Sequence, residues 1–198
     1  MRYFFIFISV SAFFACHQKS QEGADPILLN NIDSLPKQEE NFFPVTVYFK
    51  GQIHDIIDNG INPLKIIPLN GRYDSTWLKV ETLNKEFADF LTPVIDTVNM
   101  KPWFTESKFL DNTIEAFTWT YDAKPNIPDS INLRNWTVYV NPNSGKVSSI
   151  YMKKILPDNK QLQLTWYADS CTNAITVGEK NGKAVILNQT TILWDFNP

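Results

Sequence analysis

Histidine and cysteine are scarce in this chain, with two of each in 198 residues. His17 lies near the start, so His54 stands alone in the remainder. Metal centres and acid–base pairs that need two histidines are thereby excluded. No HExxH, CxxC, GxSxG, glycine-rich phosphate loop or EF-hand loop occurs either. No cofactor and no metal is expected, and His54, Asp55 and Asp58 read as a solvated helix face. Positive charge is not in excess. The net charge is -3, with lysines and arginines spread among the acids, which argues against a basic groove and nucleic-acid binding. No apolar run reaches the ~20 residues of a membrane-spanning helix.

What is present begins with MRYFFIFISVSAFFAC. Arg2 precedes a mostly Phe and Ile stretch, Tyr3 to Ala15, of signal-peptide length. A small residue directly before Cys16 resembles the bacterial lipobox, with Phe13 where leucine is usual. The expected organisation is a signal peptide over 1–15, a lipidated Cys16 opening a polar tether over 16–40, and one domain over 41–198. Pro26 and Pro36 break the tether, which lacks a sustained period. Each acyl CH₂ buried in a bilayer contributes roughly 0.8 kcal/mol, so several chains anchor the protein without spanning. With Cys16 lipidated, Cys171 has no intramolecular partner and reads as a buried small residue or a tolerated free thiol rather than a catalytic nucleophile. Without lipid, a Cys16–Cys171 disulfide is open in an oxidising compartment.

The domain opens on Val45, Val47 and Phe49, whose alternation predicts a strand. Ile53, Ile56 and Ile57 then predict a short helix closed by Gly60. Leu64 to Leu69 reads as a strand and Asn70-Gly71 as a turn. Tyr73 to Val80 fits either a return strand or a helix starting near Ser75. Leu83, Phe87, Phe90, Leu91 and Val94 form a helical stripe, with Thr82 as its cap and Pro93 limiting its end. Asn99 to Leu110 reads as a connector.

From residue 113 onward, alternating segments separated by turn residues predict strands over 113–121, 133–140, 146–154, 161–167, 173–177 and 183–196, the last with a bulge near Asn188-Gln189. The expected fold class is α+β: a meandering antiparallel sheet of about five or six strands with one main helix, around 82–92, packed on a face.

Trp119, Trp136, Trp166 and Trp194 share the strand periodicity. They read as core packing, or as a ligand-contacting platform if several are exposed on one face. Glu115 shares an alternating face with Phe117, Trp119 and Tyr121 and is a candidate pocket residue. Asp169-Ser170-Cys171 sets an acid beside two nucleophiles, but neighbours on a strand point to opposite faces, so a polar break is the simpler reading.

The lipobox-like start, the polar tether and the strand-rich tail with TWYADSC resemble uncharacterised lipoproteins of the Bacteroidetes cell envelope. NWTVYVNPNSGKVSSIYMKK, Asn135 to Lys154, faintly resembles the strand-turn-strand of PepSY-like periplasmic domains. The first resemblance implies a membrane partner through the lipid and a place at the periplasmic face of the outer membrane, with surface exposure as the alternative. The second implies a binding or inhibitory role. A non-enzymatic module binding an envelope protein, glycan or lipid is the favoured reading. A structural lipoprotein and a small hydrolase with an unconventional site are the alternatives.

Overall fold

The computed structural model describes residues 42–69 and 71–196. The signal peptide, Cys16, the tether and Asn70 lie outside the described residues.

Nine strands form one antiparallel sheet in the order β2-β1-β9-β8-β7-β6-β5-β4-β3. They are β1 (Leu64–Leu69), β2 (Arg72–Trp77), β3 (Phe104–Asp111), β4 (Ala116–Ala123), β5 (Leu133–Val140), β6 (Val147–Ile155), β7 (Gln161–Tyr167), β8 (Cys171–Lys180) and β9 (Lys183–Leu193). From β3 to β9 the chain meanders, each strand pairing with its predecessor, and the β1–β2 hairpin adds to the free side of β9. This corrects the expected α+β fold with one main helix. The sheet dominates, and the helices are few and mostly a single turn long: α1 (Val45–Asp58), α2 (Leu83–Glu86), α3 (Ala88–Leu91) and α4 (Thr97–Met100).

The longest helix, α1, stands where a strand was expected. Val45, Val47 and Phe49 satisfy a period of two, but Val45, Phe49, Ile53 and Ile56 also satisfy the helical period, and that longer stripe is the one buried. Val47 is left 65 % exposed as a consequence. Gly51 does not interrupt the helix, because the buried stripe continues on both sides of it and outweighs glycine's helix penalty of about 1 kcal/mol. Packing has overridden local propensity at both points.

The helix expected around 82–92 is broken. A 3-10 turn, Val80–Thr82, leads into α2, and Phe87 separates α2 from α3 with non-helical torsions. Thr82 does not cap; its hydroxyl donates to the Lys79 carbonyl at 2.8 Å. The apolar stripe nonetheless survives, with Leu83, Phe87 and Phe90 all buried.

Two aromatic clusters fill the space between sheet and helices. In one, Trp166 has ring centroids of Phe49, Phe87, Phe90 and Trp194 at 4.8, 5.0, 5.3 and 5.2 Å. In the other, Trp136 stacks on Tyr121 at 4.5 Å and meets Phe104 at 4.6 Å, while Phe42 closes on Tyr121 at 4.9 Å. Threonines recur on the face turned away from the helices, where the Thr120 and Thr137 hydroxyls lie 3.4 Å apart across β4 and β5.

The bulge expected at Asn188-Gln189 falls one residue earlier. Thr176 pairs with Asn188 but Val177 with Ile186, so Leu187 is the extra residue of β9. Its side chain lies over Gly178, where an added Cβ would come within 2.5 Å of Leu187 Cδ1.

Candidate functional site

The pleat decides where polar groups collect. One face of the sheet looks toward the helices. On β7 that face reads Leu162, Leu164 and Trp166; on β8 it becomes Thr172, Ala174 and Thr176, and on β9 Asn188, Thr190 and Ile192. Helices α2 and α3 cover the apolar part and stop at its border. A cleft of about 170 Å³ is left between their edge and the polar part, with Glu86, Asp89 and Phe90 on the helix side.

Lys65 of β1 crosses this cleft to Glu86, Nζ to Oε2, at 2.8 Å, with both side chains about a quarter exposed. The pair forms a rim rather than a buried anchor, and being partly exposed it contributes little to stability. Asp89 is exposed and free to accept. The threonines and Asn188 add hydroxyl and amide groups, each able to donate and accept. Phe90, Leu162 and Ile192 supply an apolar floor.

Behind the cleft lies Lys154, only 2 % exposed, in the same cross-strand row as Leu162, Thr176 and Asn188. Its ammonium donates to the carbonyl oxygens of Asp89 and Thr92, tying β6 to the end of α3. Burial lowers its pKa to about 8, against the opposing pull of the Asp89 carboxylate. Lys154 thus ties down the helical wall on which Asp89 lines the cleft.

The residues singled out from sequence fall elsewhere. Trp136, Trp166 and Trp194 are buried in the two aromatic clusters and offer no exposed platform. Trp119 is half-buried, with Phe43 at 5.6 Å and the Lys108 ammonium 5.6 Å from its ring. Glu115 is exposed with φ 50 in the turn before β4, off the strand face it was expected to share. His54 and Asp58 meet at 3.3 Å on the exposed side of α1. No cluster of three metal-ligating side chains exists among the described residues. Cys171 points to the face opposite the cleft, paired across strands with Tyr167 and Leu193, and burial pushes its thiol pKa up. A thiol held protonated is a poor nucleophile.

The cleft residues were missed, although one signal was available. Lys154 has the strand parity of Ile150 and Met152, so a charge occupied an apolar position of β6. Glu86 and Asp89 read only as solvent-facing helix positions.

No family model, curated protein or solved structure matches this chain.

Proposed function

We propose that this chain is a non-enzymatic binding module of the cell envelope, anchored through Cys16 at the periplasmic face of the outer membrane, and that its cleft takes the end of a hydroxyl-rich ligand such as a glycan. The observation that carries this reading is the change in one sheet face from aromatic to Thr, Asn and Ala where the helical cover stops. Small hydrogen-bonding groups over an apolar floor suit a sugar, whose hydroxyls need both donors and acceptors and whose ring has an apolar side. The ion pair between Lys65 and Glu86 supplies one group of each kind at the rim. A volume of about 170 Å³ is below the ~300 Å³ lower bound for drug-sized ligand pockets, so the cleft admits a terminal unit and leaves the remainder in solvent.

The test is calorimetric titration of the full chain with neutral mono- and disaccharides and with fragments of its own envelope glycans. Saturable binding lost in Asn188→Leu and Glu86→Gln, with unchanged thermal unfolding, supports the proposal. No saturable heat from any of these probes refutes the glycan reading. The anchor has its own test: palmitate labelling should disappear in Cys16→Ser, and labelling that persists contradicts it.

A further inference from the structure

We infer that β2 is a self-pairing edge, and that two copies of this chain associate antiparallel about a two-fold axis at Tyr73. The phase of the β1–β2 ladder comes first. Leu64 pairs with Trp77, and the next amide, Leu78 N–H, donates to the Pro63 carbonyl at 2.8 Å. Bonded and non-bonded pairs alternate along an antiparallel ladder. Thr76, Asp74 and Arg72 therefore turn their backbone groups toward β1, and Trp77, Ser75 and Tyr73 turn theirs away from the sheet.

Every residue of β2 is exposed, Tyr73 at 78 %. The strand contains no proline and no lysine, two common guards of an edge. The opposite edge, β3, differs: Lys108 and Glu106 form an ion pair at 3.1 Å on its face. Beside Tyr73 lies an open depression flanked by Leu69, Arg72 and Asp74.

The charges select both partner and register. Arg72 and Asp74 sit two apart and so share one face of the strand. Neither side chain makes an ion pair or hydrogen bond among the described residues. In an antiparallel pairing centred on Tyr73, the two tyrosines exchange both backbone bonds. Arg72 of one copy then faces Asp74 of the other, and the contact occurs twice, as a two-fold interface requires. These are non-hydrogen-bonded positions, where side chains approach most closely. Centring on Ser75 instead sets Arg72 opposite Leu78 and Asp74 opposite Thr76, leaving both charges unmatched. The pairing overlaps the hairpin tips only, so the association is weak and reversible. It uses a sheet edge away from the glycan cleft and does not depend on that reading.

Sedimentation equilibrium of the full chain carrying Cys16→Ser tests this without acyl-driven association. The expected result is a reversible monomer–dimer equilibrium that weakens with added salt. Arg72→Asp and Asp74→Arg should each weaken dimerisation by about tenfold, since both contacts become repulsive. An equimolar mixture of the two variants should regain the parent affinity within about threefold, because each chain then carries two like charges that face two of the opposite sign. Thermal unfolding of each variant establishes that it is folded. A parent that stays monomeric, a dimer that neither variant weakens, or a mixture no tighter than the single variants overturns the inference.

Discussion

One face of one sheet behaves in two ways. Across β4 to β7 it carries Tyr121, Trp136, Ile150, Met152, Leu164 and Trp166, all buried beneath α1, α2 and α3 or the segment leading into them. Across β8, β9 and β1 the same face carries threonines, Asn188 and Lys65, and the helices leave a cleft above it. The pleat is common to both halves; the side chains differ, and so does the cover. The first half supplies apolar burial, worth roughly 25 cal/mol per Å². The second half buries less apolar surface, Ile192 apart, and lines the cleft with hydroxyl and amide groups beside the Lys65–Glu86 pair. The packed core and the proposed binding cleft thus lie on different strands of a continuous ladder.

Substitutions should separate the halves. The largest effect is expected at Trp166, the hub of four rings: Trp166→Ala should cost about 3–5 kcal/mol in denaturant unfolding. A loss under ~1 kcal/mol would erase the distinction between the halves.

Next comes Lys154 at the border. Lys154→Met leaves the Asp89 and Thr92 carbonyls without their lysine donor and should cost about 1–3 kcal/mol at pH 7. Its titration adds a signature. With the native pKa lowered from 10.5 to about 8, the folded amine loses its proton first as pH rises. Between those values the unfolded chain binds more protons, so stability rises with pH. Cys171 opposes this above the ordinary thiol value of 9.0, because its raised native pKa holds the proton in the folded state. Tyr48, raised to about 12 chiefly by burial and further by Asp169, opposes it in the same way above 10. Unfolding free energies between pH 8 and 10 on a Cys171→Ser background should therefore climb, and Lys154→Met should flatten that slope.

Gly51→Ala should stabilise by about 0.5–1 kcal/mol, because the position is helical and its missing Cβ meets open space. A destabilised variant in thermal unfolding would contradict the helix over Val45–Asp58. The smallest effect is expected in the cleft. Thr176→Val and Thr190→Val should change stability by less than ~0.5 kcal/mol while weakening ligand binding, the reverse of the Trp166 pattern.

How far this architecture was legible varied with how much each strand buries. β5, β6 and β7 alternate large apolar and polar residues between clear turns, and their bounds were read from that contrast within about two residues. β3 has no such contrast: Glu106 and Lys108 alternate with Thr105 and Ser107, so an edge strand looked like a connector. At Val45–Phe49 two periods fitted, and only the packing of Phe49 on Trp166 decides between them. Trp119, Trp136 and Trp166 were legible as strand residues, whereas Trp194 lies just past the end of β9, and how deeply each is buried depends on which helices lie above. The cleft was least legible because its threonines become a site only through cross-strand register, which no single segment displays.

Backbone amide shifts of the full chain, titrated with a neutral saccharide that gives saturable heat, test the central claim most directly. Saturable changes are expected at Lys65, Glu86, Asp89, Thr172, Asn188 and Thr190, with the amides of Trp136 and Trp166 nearly unmoved. Saturable changes centred on the aromatic half, or on the opposite face around Tyr151 and Tyr167, would contradict it.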